Sequence, residues 1–557
     1  MSFLLLLLLL VPLAGALIGA ALPPAAAKSW ALLVSLLTLA CCVGLLWQFD
    51  FQQNPLDFPS AQQAAKSVQI DFGGTVDNPF SIDSIGFHFD LGLDAISILL
   101  VALTVFLTPL AIAASFGSIK EREKEYYAWM LVLLSAMIGV FIARDLLLFY
   151  IFFELTLIPM FFIIGIWGGA ERRFAAGKFF LFTFAGSVFT LAGAIYLGNK
   201  YGTFDIATLT AYAQHGGPRG FLPALDSQER WLILLAFLAG FAVKVPLFPV
   251  HTWLPLAHTE APTAGSVILA GVLLKLGTYG LLRLAIPIGM IDANGVAFPA
   301  AAQGIAVLCI IGILYGALCA WVQKDVKKLV AYSSVSHLGF CVLGLFALNA
   351  IGMQGSVLYM INHGLSTGAL FLCIGMIYDR YHTRDIDQLS GLGRIMPKLA
   401  FFLVLFAMSS IGLPGTNGFV SEFLTVLGAY TSPWLGPKFG SVAALGVILG
   451  AVYMLHMIAR IIFGPLKFPR GHDGDGHTAH GDVHGHADQG QAASADHDDY
   501  DTKSNDIGAR EIAILVPLAI AVIVLGVVPT SLLRPMLGPV ELIRNPAAIT
   551  AQAVPPR

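Results

Sequence analysis

Charged residues are scarce in this chain. Asp, Glu, Lys and Arg together make up 12% of the 557 residues, whereas soluble domains carry about 25%. Hydrophobic residues make up 57%, and apolar runs of about 18 residues or more recur along the whole length, each long enough to cross a bilayer as a helix. The scarcity of charge argues against a soluble globular enzyme and indicates an all-α polytopic membrane protein.

Cysteine is also rare, and its pattern contains no redox or metal motif. All six cysteines fall within apolar segments: Cys41, Cys42, Cys309, Cys319, Cys341 and Cys373. None forms a C-x-x-C pair, and their spacing fits neither a zinc nor an iron–sulfur site, so we interpret them as small buried hydrophobes. No glycine-rich dinucleotide motif follows a strand, and no Walker loop is present. The sequence therefore predicts no cofactor in this chain.

The apolar runs predict fourteen membrane-spanning helices. They lie near residues 3–22, 30–48, 92–114, 127–143, 146–167, 179–198, 231–253, 264–284, 301–322, 329–348, 355–377, 399–427, 441–463 and 511–533. If the N-terminus lies outside, the inner side carries 19 Lys and Arg residues and the outer side carries 10. Membrane proteins keep the excess of Lys and Arg on the inner side. An even number of spans then places both termini on the outer, periplasmic side.

Two of the predicted spans are interrupted by proline at corresponding places. Pro246 and Pro249 follow Lys244 in span seven, and Pro414 precedes Glu422 in span twelve. Proline removes a helical hydrogen bond, and in lipid the freed carbonyl groups need protein or water partners. Each interrupted span is the fourth helix of a five-helix block, spans 4–8 and 9–13. An odd offset makes the two blocks run in opposite directions, as in the inverted repeats of transporters.

This organisation predicts five parts. They are three N-terminal helices with an outer loop (1–126, loop 49–91), a first five-helix repeat (127–284), an inverted second repeat (301–463), a His/Asp-rich cytoplasmic linker (464–510), and a C-terminal helix and tail (511–557). The linker has the composition of a disordered, soluble segment. Weak metal binding is the alternative, since imidazole and carboxylate groups suit zinc and nickel. The candidate ligands are His472, His477, His480, His484 and His486.

Four charged residues lie inside apolar spans: Glu154, Lys244, Lys275 and Glu422. A charge near the bilayer centre costs about 2.5–3.5 kcal/mol on insertion scales, and such residues usually have a function. Glu154 and Lys244 occupy similar positions in the second and fourth helices of the first block. Burial favours the uncharged form of each, and contact between them favours both charges. A pair that forms and breaks therefore acts as a proton switch; a static ion pair between helices is the alternative.

The second half continues the series of ionisable residues. No acid lies within four residues of Lys275 along its helix, so its partner must come from another helix. His337 and His363 fall on spans ten and eleven, and imidazole passes protons near neutral pH; a packing role is the alternative for each. Glu422 follows the break in span twelve. An acid there suits a terminal group that releases protons outward; a hydrogen bond between helices is the alternative.

The stretch PLFPVHTWLPLAHTEAPT at 246–263 is dense in Pro, His and Trp. It follows the break in span seven near the predicted cytoplasmic face. His251, His258 and Glu260 could collect protons there, with His258 the strongest candidate relay and Glu260 the weakest. Capping and interfacial anchoring explain much of the same pattern.

Three stretches resemble a known family. They read LFPVHTWLPLAHTEAPTAGSVILAGVLLKLGTYG (247–280), KKLVAYSSVSHLGF (327–340) and INHGLSTGALF (361–371). They resemble the antiporter-like membrane subunits of proton-pumping NADH:quinone oxidoreductase, respiratory complex I, and among these the chain M group, called chain 4 in mitochondria. The resemblance extends from about residue 90 to residue 465. Glu422 favours this group, because the related chains L and N typically have Lys there.

The resemblance implies a translocase subunit without a redox group of its own. The family's proton path maps onto Glu154, Lys244, Lys275 and Glu422, to which the pattern above adds His337. It implies FMN, iron–sulfur clusters and quinone in partner subunits, chains L and N as neighbours, surrounding membrane lipid, no nucleic acid, and a multi-pass location in the bacterial inner membrane. A cation/proton antiporter subunit of the Mrp type and a membrane scaffold whose buried charges specify helix pairing are the alternatives.

Overall fold

A computed structural model describes residues 2–51, 70–72, 82, 84, 86–217, 222–467 and 506–544. The histidine-rich stretch and its five candidate metal ligands lie outside this range. Helices account for most of the described residues. Two short antiparallel pairs of strands join β1 (Ile70–Phe72) to β2 (Leu91–Leu93) and β3 (Ile291–Asp292) to β4 (Gly295–Val296).

The helices are numbered in chain order. The first nine are α1 (Ser2–Ala21), α2 (Pro24–Gln48), α3 (Ala95–Ala114), α4 (Glu123–Ile142), α5 (Leu146–Trp167), α6 (Arg172–Tyr201), α7 (Ile206–His215), α8 (Ser227–Lys244) and α9 (Trp253–Glu260). The others are α10 (Thr263–Met290), α11 (Pro299–Trp321), α12 (Val326–Phe346), α13 (Ala350–Tyr381), α14 (Pro397–Ile411), α15 (Asn417–Thr431), α16 (Pro437–Ile461), α17 (Ala509–Val527) and α18 (Thr530–Arg544).

Within the described part of the chain, twelve helices are long and apolar enough to cross a membrane. This establishes a helical polytopic membrane protein, while the number fourteen stays a prediction. The twelve observed helices and the fourteen predicted spans differ at the two interrupted spans. Helix α8 carries three charged residues, Glu229, Arg230 and Lys244. The predicted span 399–427 divides into α14 and α15, which have 15 residues each.

Both interruptions occur where the prolines indicate. Helix α8 ends at Lys244 and helix α9 begins at Trp253, and the Trp253 indole spans the gap by donating to the Val243 carbonyl at 2.9 Å. Helix α14 ends at Ile411 and α15 begins at Asn417. Gly412 and Gly415 between them have φ of +82° and +92°, which favours glycine because it lacks Cβ.

Three helices form the buried centre of the bundle. In the most apolar stretches of α10, α12 and α13, 94%, 94% and 100% of the residues are buried. In those of α6 and α16, 39% and 33% are buried. Helix α13 packs against α10, α12 and α15. Helix α10 changes to π-helix at Leu269–Leu273 and Leu281–Met290, a form that proteins frequently place at functional sites. Lys275, His337 and His363 on these central helices are therefore surrounded by protein.

Two matching backbone bridges occur at the starts of α5 and α12. Asp145 pairs antiparallel with Asp205, and Asp325 pairs antiparallel with Asp385. The side chain of Asp145 accepts from the second and third amides of α5, and that of Asp325 does the same for α12. The same junction is thus built twice in one chain.

The cap at Asp145 is expected to contribute measurably to stability. Its carboxylate accepts from the amides of His88, Leu147 and Leu148 at 2.9–3.0 Å. Replacing an N-cap residue with Ala costs about 0.5–2 kcal/mol, whereas Asn caps as well as Asp. Asp145→Ala should lower the unfolding temperature of the chain in detergent, and Asp145→Asn should restore most of it. Equal unfolding temperatures for the Ala variant and the unmodified chain would contradict this role.

Candidate functional site

Glu154 and Lys244 approach each other at the break after α8 without a direct hydrogen bond. The Lys244 ammonium is 2% exposed, donates to Thr156 Oγ1 at 3.2 Å and lies 4.8 Å from the centre of the Phe153 ring. Oε1 of Glu154 has no hydrogen-bond partner among the described residues. Tyr150 and Ser187 lie beside this carboxyl group. The two side chains therefore interact electrostatically without a direct bond between them.

Lys275 finds its partner on another helix. Its side chain is 0% exposed, and Nζ lies 2.7 Å from Nδ1 of His363 on α13. Nζ also donates to the Ala270 carbonyl, in the π-helical segment just before it. In a π-helix the backbone amides bond to carbonyls five residues away instead of four. This change in pairing presents the Ala270 carbonyl to the lysine. One partner of the lysine is thus an uncharged carbonyl group, and the other is an imidazole that can exchange a proton with it.

His337 connects the same region to α16. Its Nδ1 lies 2.7 Å from the Tyr359 hydroxyl. Its Nε2 lies 3.2 Å from the Ser410 hydroxyl and 3.3 Å from the Tyr453 hydroxyl. The ring centres of His337 and His363 are 5.7 Å apart. The two imidazoles therefore lie within the reach of one bridging group.

A small cavity extends from the two histidines to Glu422. Its volume is about 20 Å³. Its lining is almost wholly polar: His337, Tyr359, Asn362, His363, Ser366, Thr367, Ser409, Ser410, Gly418, Ser421 and Glu422. A Cβ at Gly412 would lie 2.6 Å from Oε2 of Glu422, so the absence of a side chain at Gly412 lets the carboxyl group occupy this position. The interrupted helix thus positions the acid at the cavity.

An amide and hydroxyl network supports the cavity wall. The Asn362 amide donates to the Asn417 carbonyl at 2.6 Å and to the Ser421 hydroxyl at 3.0 Å. The Ser409 hydroxyl donates to Asn417 Oδ1 at 2.5 Å and pairs with Ser366 at 2.6 Å. Sequence reasoning missed Asn362, Ser409 and Asn417. The signal was present, since uncharged polar residues within apolar helices usually bond across helices.

His258 lies on the predicted cytoplasmic side of Lys275. It is 0% exposed, and its ring stacks on Phe371 at 4.9 Å between centres. Neither ring nitrogen has a hydrogen-bond partner among the described residues. It interacts electrostatically with Lys275 on one side and Lys327 on the other. His251 is separate: it stacks on Phe248 and contacts the Tyr315 ring edge-on.

Glu260, at the end of α9, and Lys327, at the start of α12, both form hydrogen bonds around this end of α9. Glu260 Oε2 accepts from the Glu171 amide at 2.9 Å, and its carbonyl accepts from the Gly169 amide at 2.8 Å, so its hydrogen bonds fix the turn before α6. Lys327 is only 7% exposed. Its ammonium donates to the carbonyls of Thr259 and Ala261 at the end of α9. The run KK gave no indication that its first lysine is buried.

The structure brings the predicted residues into two groups. Glu154 and Lys244 form one, at the first interruption. Lys275, His363, His337 and Glu422 form the other, around the cavity at the second interruption, and His258 leads toward it. Each of these side chains can take up or release a proton, so the side chains around the cavity can pass protons among themselves. Among the described residues, no cluster of three or more His, Cys, Asp or Glu is placed to hold a metal.

Comparison with known proteins gives consistent relatives over most of the chain. A family model described as "NADH:quinone oxidoreductase/Mrp antiporter, TM" matches residues 143–449. Another, "NADH-ubiquinone oxidoreductase chain 4, amino terminus", matches residues 72–142. The chain is 44% identical to NADH-quinone oxidoreductase subunit M of Rhodobacter capsulatus over 470 residues, 83% of each protein. It is 41% identical to NADH-ubiquinone oxidoreductase chain 4 of Marchantia polymorpha over 455 residues, 81% of each.

Solved structures share the fold. A chain of respiratory complex I from Thermus thermophilus superposes with a TM-score of 0.76 at 28% identity, covering 97% of this chain and 99% of that one. A chain of the Mrp complex from Dietzia superposes with the same TM-score at 22% identity over 100% of both. The second likeness concerns the fold alone.

Proposed function

Because the chain belongs to the NADH:quinone oxidoreductase/Mrp antiporter family of membrane subunits, we propose that it translocates protons as a membrane-arm subunit of a NADH:quinone oxidoreductase. The name of its relative in Rhodobacter capsulatus supports this assignment at 44% identity. The observation that carries it is the contact of 2.7 Å between the buried Lys275 and His363, next to the cavity that reaches Glu422. A buried cation without a carboxylate partner is costly to keep, and a proton-transfer role explains its presence.

The residues then act in sequence. His258, beside Lys275 and Lys327, receives protons from the cytoplasmic side and passes them toward Lys275. Lys275 exchanges a proton with Nδ1 of His363, and His337 and Glu422 carry it on to the outer side. Glu154 and Lys244 form a separate switch: when they approach, both charges are stabilised, and when they separate, Lys244 tends to release its proton. Coupling between the two groups makes transport depend on events elsewhere in the complex.

The same proposal includes the arrangement of the whole chain. Two inverted five-helix repeats at 127–284 and 301–463 are supported by the matching bridges at Asp145 and Asp325 and by the two interrupted helices. The apolar runs predict fourteen spans, and the charge bias then places both termini on the periplasmic side of a bacterial inner membrane. The complex I and Mrp assemblies of the structural neighbours support a multisubunit membrane complex. We assign chains L and N as neighbours, and FMN, iron–sulfur clusters and quinone to other subunits.

An Mrp-type cation/proton antiporter subunit is the second candidate. The family model covers both classes, and the Mrp chain from Dietzia shares the fold. The identity of 44% with a subunit M, against 22% with the Mrp chain, favours the oxidoreductase. Coupling of proton movement to NADH oxidation separates the two candidates.

Replacing Lys244 tests the proposal. In inverted membrane vesicles that contain the assembled complex, we expect Lys244→Ala to lower NADH-driven quinone reduction and proton uptake together, by about fivefold or more, since relay groups typically contribute larger factors. Lys438→Ala, at an exposed lysine, is the control and should change neither rate. If both rates are normal in Lys244→Ala, the lysine is structural or the chain belongs to an antiporter that is not driven by NADH.

A further inference from the structure

The carboxyl-terminal end of α9 is held by two cations from the second half of the chain. The Lys327 ammonium donates to the Thr259 carbonyl at 3.2 Å and to the Ala261 carbonyl. The Arg384 guanidinium donates to the Thr259 carbonyl at 2.7 Å. The last carbonyls of a helix have no partner within it, and a cation there also interacts favourably with the helix dipole. The two side chains thus cap the short helix that follows the first interruption.

The junction that carries these cations is built a second time in the chain without them. At the start of α12, the Val326 amide donates to the Arg384 carbonyl at 2.9 Å. At the start of α5, the Leu146 amide donates to the Phe204 carbonyl at 2.7 Å. Val326 and Leu146 are each the first residue of their helix. Phe204 therefore occupies the place that Arg384 has in the other junction.

The same correspondence applies to the lysine. The second residue of α12 is Lys327, whose amide donates to the Asp325 side chain at 2.7 Å. The second residue of α5 is Leu147, whose amide donates to the Asp145 side chain at 2.9 Å. One junction thus forms with Leu and Phe where the other has Lys and Arg. Because the backbone arrangement does not need the charges, their contacts with α9 indicate a role outside the junction itself.

These contacts reach the residue next to His258. His258 directly precedes Thr259, is 0% exposed and stacks on Phe371. Its carbonyl accepts from the Ser266 hydroxyl at 2.9 Å, which joins it to α10, the helix that carries Lys275. The imidazole also interacts electrostatically with Lys275. A shift at the end of α9 therefore changes where this ring lies relative to Lys275.

Arg384 also connects the end of α9 to the start of α12. Its Nε lies 3.6 Å from Oδ2 of Asp325, while its terminal nitrogen bonds to the Thr259 carbonyl. Arg384 is partly exposed, whereas Lys327 is buried. The end of α9 is thus attached to the second half of the chain by one side chain near the surface and one in the interior.

We propose that Lys327 and Arg384 are positioning residues, which hold the end of α9, and with it His258, beside Lys275. The inference rests on the proposed function, in which His258 passes protons to Lys275. Both cations come from the second half of the chain, whereas α8, α9 and the break between them belong to the first. Proton entry to Lys275 therefore depends on how the second half packs against α9.

Substitution by the residues of the other junction tests this proposal in vesicles that contain the assembled complex. Lys327→Leu and Arg384→Phe, which copy Leu147 and Phe204, should each lower NADH-driven proton uptake about tenfold, because a misplacement of about 1 Å can cost about a hundredfold in rate. Lys327→Arg keeps donors for the carbonyls and should retain most of the uptake. Lys328→Leu is the matched control, since it removes the adjacent but exposed lysine, and should leave uptake unchanged.

A cryo-EM map of the Lys327→Leu complex gives a second readout, which loss of stability alone would not produce. The last turn of α9 and the His258 ring should be displaced from Phe371, while the backbone junction at the start of α12 stays intact. Reduced uptake with α9 and His258 in their original places would overturn the positioning role. If Lys327→Leu does not assemble, Arg384→Phe decides by the same two measurements.

The outcomes separate this inference from the function beneath it. Normal uptake in Lys327→Leu or in Arg384→Phe, alongside loss in Lys275→Met, would overturn the positioning role and keep the pump. Normal uptake in Lys275→Met would overturn the proposed path itself. Equal losses in Lys327→Leu and Lys328→Leu would assign the effect to the charge of the inner surface, and equal losses in Lys327→Leu and Lys327→Arg would exclude capping of α9 as its cause; either result overturns the inference.

Discussion

Lys275→Met is expected to abolish NADH-driven proton uptake while leaving the complex assembled and at least as stable as the unmodified one. The two effects have opposite signs because Lys275 is 0% exposed and, among the described residues, bonds to the Ala270 carbonyl and His363. Keeping an ammonium group there costs several kcal/mol that a methionine of similar shape does not require. Uptake should fall about a hundredfold, since the proton carrier that contacts His363 Nδ1 is gone.

Lys275→Arg distinguishes a carrier of protons from a fixed positive charge. A guanidinium group keeps the charge but does not release its proton in proteins. We therefore expect Lys275→Arg to remain inactive when assembled, with quinone reduction measured in the same vesicles. Activity close to normal in the Arg variant would show that only the charge matters. Lower stability in the Met variant would show that Lys275 holds the fold together.

Gly412→Ala is expected to inactivate the outer end of the path without touching an ionisable residue. The new Cβ would lie 2.6 Å from Oε2 of Glu422, closer than atoms in contact can approach, so the end of this flexible side chain must shift from its position beside the break. Proton uptake should fall about tenfold or more, as for loss of the acid itself. The measurement is uptake in vesicles, compared with that of Glu422→Gln.

Gly415→Ala is a matched control in the same break. Gly415 has φ of +92°, similar to the +82° of Gly412, but a Cβ there meets no atom within 4 Å. Both substitutions therefore carry the same backbone strain of about 1–2 kcal/mol, and only one displaces Glu422. Equal losses in the two variants would attribute the effect to strain in the loop and would remove the argument for the position of Glu422.

Much of the fold follows from the sequence because a bilayer restricts the available structures. Backbone groups in lipid must bond within the chain, which leaves helices as the solution for long apolar runs. The interruptions at Pro246 and Pro414 were also predictable, since proline cannot continue a helical hydrogen-bond ladder. The sequence was less reliable at the limits of segments. Helix α8 carries three charges and α14 and α15 are short, so twelve of the described helices are long and apolar enough to cross a membrane.

The candidate site was predicted residue by residue but not as an arrangement. Lys275 lacks an acidic neighbour on its helix, which indicated a partner elsewhere, yet only the structure identifies His363 and the π-helical Ala270 carbonyl. The burial of Lys327 was not predicted, because a lysine at a helix start usually faces water. Asn362 escaped notice although a polar residue in an apolar helix indicates a bond across helices, because no motif marks which helix it meets. The roles of Lys275 and Lys327 stay predictions that the variants above can test.

The sequence by itself determined the class of protein, the breaks in two helices and the small set of ionisable residues within apolar spans. Those features depend on composition and local geometry, which a single chain segment already contains. Tertiary structure alone decided which of these residues meet. Lys275 and His363 are 88 positions apart, and Gly412 makes room for Glu422 only across the break in the helix. Hydrogen bonds act over about 3 Å, so partnership depends on how helices pack, which no local pattern in the sequence specifies.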